Sequence, residues 1–265
     1  MFQHLLRGML LLGLLLGLLL GALPSQAAIS DAEAINRAGQ QRMLGQRIAK
    51  SYLMIGTQTR TELALAQLDA SVASVEENSQ LLGDYASSTA IRGAADEAGL
   101  TWQQLREQAL AAPDKSRSLE MLKLAERFLA QSETLALRIE QHNGSQPAHL
   151  VNRSGRLRML SQRIAMLYLA LSWNLPDAEL RSKFDTAVDE FDQGLDELHA
   201  AKQNTEQIND RLEHISNQWR FARVGFKLTE DGRYVPTVIV TTAESLLQKL
   251  EALTADYAQL AQAAR

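Results

Sequence analysis

Asn36, Gly39, Arg42, Met43 and Gln46 recur as Asn152, Gly155, Arg158, Met159 and Gln162, each pair 116 residues apart. Guanidinium groups are planar, permanently charged forks that suit small oxyanions such as nitrate, nitrite or carboxylate. Carboxamides add further donors. The five residues therefore carry the chemistry of a small-anion site, and the chain carries that chemistry twice. The two stretches are "INRAGQQRMLGQRIAKSYL" from Ile35 and "VNRSGRLRMLSQRIAMLYL" from Val151, identical at twelve of nineteen positions without a gap.

Both stretches read as helix. At about 100° per residue, Asn36, Gly39, Arg42, Met43 and Gln46 share one face, while Leu44, Ile48 and Ile55 lie opposite and feed a core. The second copy repeats this division, with Leu160, Ile164 and Leu171 on the apolar side. A glycine inside a helix costs about 1 kcal/mol relative to alanine, so Gly39 and Gly155 point to close approach by another backbone or a ligand. If the two copies meet, Arg42 faces Arg158. Two desolvated guanidinium groups repel, and an anion between them resolves the repulsion. The competing reading is structural: Asn36 and Gln46 fix the register between packed helices and no ligand enters. Drift at neighbouring positions, such as Gln41 against Leu157, Lys50 against Met166 and Ser51 against Leu167, leaves the shared face as what both copies retain.

The elements that must position this face are helices throughout. Apolar residues recur at three and four, and the expected spans are 30–58, 61–90, 94–111, 117–142, 148–174, 177–203, 206–226 and 237–263. Pro176 is read as opening the sixth helix and Pro236 as a first-turn proline of the last. "KLTEDGRYVPTVIV" holds the one candidate for extended structure, around Asp231 and Gly232. The duplication extends to Trp102 and Trp219, and to Ala125-Glu126, Leu129, Glu133 and Leu135 against Ala243-Glu244, Leu247, Glu251 and Leu253. The expected fold is all-α, two tandem four-helix-bundle units in a pseudo-twofold arrangement, as a homodimer would pack. The units are residues 28–145 and 146–265, after a signal peptide at 1–27. That leader is read from Arg7, the sixteen uncharged residues of "GMLLLGLLLGLLLGAL" and the small residues Ser25 and Ala27. It directs the chain to the periplasm. The alternative is an uncleaved N-terminal helix that anchors it in the inner membrane.

Composition narrows the function. Net charge is −4, and −5 once Arg7 is removed with the leader (26 basic against 31 acidic residues), which argues against nucleic acid. The chain has no cysteine, so disulfides, thiolate metal sites and cysteine nucleophiles are excluded. Five histidines offer one Asp196-x-x-His199 pair, short of the two Glu-x-x-His pairs of a di-iron bundle. No phosphate loop or nucleophile elbow is present. No catalytic residue, metal or cofactor is expected. Trp102 and Trp219 are core anchors. Arg220, Arg223, Lys227 and Arg233 form a loose basic cluster, by default a solvated face, with an acidic partner or lipid headgroups as the minor option.

"NRAGQQRMLGQRIAK" and "NRSGRLRMLSQRIA" resemble the signature of PilJ-type domains, the N-terminal sensor domains of type IV pilus methyl-accepting chemotaxis transducers. They are also similar to the first helix of nitrate/nitrite sensor histidine kinases. The resemblance spans nearly all of the chain after the leader, as two consecutive domains. It implies a periplasmic four-helix bundle with nitrate at the dimer axis, held between paired first helices by the motif's glycine and arginines. Those positions are Gly39, Arg42 and Arg47, and Gly155, Arg158 and Arg163. Arg47 sits at the edge of the seam on the helical wheel. The first copy has Gly45 where the second has Ser161, and Lys50 where the second has Met166. The expectation is a sensor-type binding protein without an output domain of its own, presenting a small oxyanion to a membrane sensor or to a pilus or chemotaxis protein. The alternative is a ligand-free helical scaffold linked to the same machinery.

Overall fold

The computed structural model describes residues 29–143, 146–227 and 233–263. Among them are eight helices: α1 Asp31–Gly56, α2 Thr61–Tyr85, α3 Thr89–Leu110, α4 Lys115–Asn143, α5 Gln146–Ser172, α6 Leu180–His199, α7 Glu206–Lys227 and α8 Pro236–Ala263. The described residues hold no strand, so the chain is all-α as expected. The leader, and Asp231 with Gly232, lie outside the described residues.

Local chemistry explains the ends. Ser30 and Glu33 open α1 as Ser-x-x-Glu, and Ser30 Oγ accepts from the Glu33 amide at 3.2 Å. Ser88 does the same for Ile91 at α3. α1 and α5 stop in the same way, with Gln58 and Asn174 in the left-handed region at φ 54° and 52°. Beyond those residues Thr59 donates to Met54 O at 2.8 Å, and Leu175 to Ala170 O at 3.1 Å. The repeat thus includes its turns. Two expectations are corrected: the turn between α2 and α3 falls at residues 86–88 rather than 91–93, and Pro176 does not begin a helix. Asp177 folds back onto Leu175 O and accepts from the Glu179 amide at 2.9 Å, so α6 starts only at Leu180.

α1 packs on α2 and α4, and α3 on α4; α5 packs on α6 and α8, and α7 on α8. The two sets join along α1 and α5, the most extensive helix pair in the molecule, with α8 also touching α1 and α4 touching α5. α1 and α5 run parallel and in register, since Gly39 meets Gly155 near one end and Gly56 meets Trp173 at the other. Buried side chains form one continuous core across both sets. Trp102 and Trp219 are buried within it, against Phe128 and Phe191 with ring centroids 5.9 and 4.1 Å apart. No helix of the described residues is long and apolar enough to cross a membrane.

Candidate functional site: the seam between the two first helices

Gly39 and Gly155 let the two backbones approach. A Cβ added at either would lie 3.8 Å from the other's Cα. The same Cβ at Gly39 would lie 3.1 Å from Arg42 Nη2 and 3.5 Å from Arg158 Nη2. At Gly155 the distances are 3.2 and 3.3 Å. Both guanidinium tips therefore lie over one glycine pair. Neither side chain is solvated: Arg42 is 0% and Arg158 3% exposed.

Each arginine reaches across the seam. Arg42 Nη2 donates to Asn152 Oδ1 at 2.7 Å and to Asn152 O at 3.2 Å. Arg158 Nη2 donates to Asn36 Oδ1 at 2.8 Å and to Asn36 O at 3.3 Å. This reciprocal pattern is a pseudo-twofold made of hydrogen bonds. It is not symmetric in charge. Arg42 Nη1 forms a 2.5 Å ion pair with Glu133 of α4. For Arg158, burial lowers the pKa to about 10, and Glu251, the counterpart of Glu133, opposes this only through the field. Nε of both arginines is buried without a hydrogen-bond partner, so each guanidinium retains an unused donor. Asn152 Nδ2 in turn donates to Glu140, whose other oxygen is 2.9 Å from His149 Nδ1.

The other motif residues go elsewhere. Gln46 Nε2 donates to Ala125 O at 3.1 Å, and Gln162 Nε2 to Ala243 O at 3.3 Å. These amides tie each first helix to the last helix of its own set. Met43 and Met159 are buried. Arg47 and Arg163 leave the guanidinium cluster, pairing with Glu244 of α8 and Glu126 of α4. Each of these ion pairs links one set to the other. A helical wheel puts Arg47 at the edge of the seam but cannot say which carboxylate stands there. The signal was present all the same, because Glu126 and Glu133 repeat as Glu244 and Glu251 at a spacing of 118.

Lys50 breaks the symmetry. Fully buried, its Nζ donates to Gln162 Oε1 at 2.7 Å and pairs with Glu244. Burial lowers its pKa to about 8, against the opposing pull of Glu244. Met166 occupies the equivalent place on α5 and is equally buried. Among the described residues no three His, Asp or Glu side chains gather as a metal site. His199, of the Asp196-x-x-His199 pair, meets Ser216 Oγ at 2.9 Å. The basic cluster on α7 is partly paired, Arg223 with Asp192.

The profile of the family described as "PilJ: Type IV pili methyl-accepting chemotaxis transducer N-term" matches residues 25–138 and again 142–233. No curated protein and no solved structure matches the chain.

Proposed function

The chain belongs to the PilJ family of type IV pili methyl-accepting chemotaxis transducer N-terminal domains, and from that premise we propose that it is a periplasmic sensor-type module. Its ligand is a small planar oxyanion, of the nitrate or nitrite kind, bound between Arg42 and Arg158. The observation that carries this reading is the buried pair of guanidinium groups over Gly39 and Gly155, each with an unpartnered Nε. The carboxamide oxygens of Asn36 and Asn152 sit where two oxygens of such an anion would sit. Ligand entry then means exchange: the anion takes over the guanidinium tips and the two asparagines let go. Arg47 and Arg163 serve the site indirectly, by clamping the two sets together through Glu244 and Glu126.

A ligand that binds only the folded chain raises its stability by RT ln(1 + [L]/Kd), about 2.7 kcal/mol at a hundredfold excess over Kd. Nitrate or nitrite is expected to raise the melting temperature, and Arg42→Ala or Arg158→Ala to abolish the rise. Asn36→Ala removes an internal competitor for Arg158, so it should tighten anion binding. No heat in a calorimetric screen of small anions, together with no thermal shift in Asn36→Ala, would sink the proposal.

One observation favours a second reading. Asn36 and Asn152 already satisfy the guanidinium tips, so only the two Nε donors of the seam are left without a partner. On this reading the chain is a ligand-free scaffold for a pilus or chemotaxis partner. Capture of that partner should then survive both arginine substitutions.

A further inference from the structure

The two sets of helices are controls for one another. Whatever the fold requires at a surface position, it requires at the equivalent position of the other set. α3 and α7 correspond residue for residue at a spacing of 117, through Trp102 and Trp219, and α4 and α8 at 118. In the second set three large apolar side chains are exposed: Phe221 by 61%, Val224 by 63% and Val238 by 45%. Their counterparts are Gln104, Glu107 and Glu120, all exposed and all polar. The fold therefore does not ask for apolar residues at these places.

The three stand near the adjoining ends of α7 and α8. Phe221 and Val224 lie one turn apart on α7, opposite its buried face of Leu212, Ile215, Trp219, Ala222 and Phe226. The end of α7 meets the start of α8, since a Cβ on Gly225 would lie 2.9 Å from Ile239 Cδ1. Val238 is the neighbour of Ile239. Charge changes at the same corner, and at one place it displaces an apolar residue, since Leu110, the counterpart of Lys227, is itself 56% exposed. Arg220 replaces Gln103, Lys227 replaces Leu110, and two glutamates become valine. These four exchanges add four positive charges, and the loss of Arg117 and Lys123, replaced by Val235 and Thr241, takes back two, so the corner is two charges more positive than its counterpart. Arg220 and Lys227 are exposed, and Arg220 donates to a neutral amide, Asn217. Residues 220–233 carry four cations and two acids in a chain of net charge −4.

We propose that this corner of α7 and α8 is a docking surface for an anionic phospholipid membrane, with Phe221, Val224 and Val238 entering the interface and Arg220 and Lys227 meeting headgroup phosphates. Phe221 and Val224 stand on the crest of a helix rather than in a groove. A rigid protein would need a matching cleft, whereas a bilayer moulds itself around a convex apolar ridge flanked by cations.

The chain lacks cysteine, so one introduced thiol can carry an environment-sensitive fluorophore. The full chain is labelled at Val224→Cys and, as a control, at Glu107→Cys. Each is mixed with phosphatidylcholine vesicles with and without phosphatidylglycerol. The label at 224 should brighten and shift to the blue only with phosphatidylglycerol, and the label at 107 should not respond. Tethering of the chain by any other segment would move both labels alike. Arg220→Gln with Lys227→Leu, the residues of the first set, should weaken partitioning about thirtyfold, taking each cation near an anionic surface as roughly a fivefold factor. No response at 224, or equal responses at 224 and 107, would overturn the proposal. A label at 224 that answers to an acidic protein but not to vesicles would overturn it in favour of a protein interface.

Discussion

A serine at position 45 would place its Cβ 2.6 Å from Phe128 Cδ1, yet Ser161 occupies the equivalent place in the second set without difficulty. Its opposing residue is Leu246, the counterpart of Phe128. The two exchanges compensate: a flat ring against glycine in one half, a smaller aliphatic group against serine in the other. Gly45→Ser alone overpacks a buried contact and should destabilise the fold by about 1–3 kcal/mol. Adding Phe128→Leu should recover much of that loss, giving a coupling energy above about 0.5 kcal/mol in a double-mutant cycle of urea denaturation. Additive effects would refute the pairing. In the sequence Gly45 and Ser161 stand out as a difference, but the cause does not, because Phe128 lies 83 residues away. The same limit applies to Arg42. Its face on the helix is legible from period alone, whereas its bond to Asn152 exists only after the two helices lie parallel and in register.

At the scale of helices, apolar spacing places all eight elements, because each buries one stripe against a neighbour. The start of α6 escapes this logic. Proline favours a first helical position, but Asn174 in the left-handed region and the Asp177 turn postpone the helix. The α1–α5 pair carries a pH signature of its own. Lys50 titrates near 8 in the folded chain against 10.5 when unfolded, so the unfolded chain binds more protons between those values. The penalty for burying the charge is full below about pH 8 and fades as pH rises toward 10.5. Urea denaturation across that window should show wild-type stability rising relative to Lys50→Met, by up to about 1.4 kcal/mol per pH unit. A constant difference between the two proteins would show that Lys50 keeps its ordinary pKa.

At the scale of the whole molecule the pseudo-twofold is specific to unlike halves. Trp173 of α5 fits over Gly56 of α1, where a Cβ would lie 2.4 Å from the ring, and a second half paired with itself would offer Ser172 there. Lys50 and Arg47 converge on Glu244 of the other half. Residues 28–145 and 146–265, produced separately and mixed, should form a one-to-one pair by analytical ultracentrifugation. Homodimers as stable as the mixed pair would contradict this.

The parallel pairing of α1 with α5 also has a genetic consequence. In a receptor that pairs two identical chains, every mutation strikes the shared seam twice, so a change tolerable on one side fails if it is harmful on the other. Here both sides are encoded separately within one polypeptide. Lysine can replace methionine on one side alone, and glycine can meet phenylalanine on one side alone. The seam assembles at any dilution, presents one copy of its charge pattern per molecule, and each side is free to change by single steps.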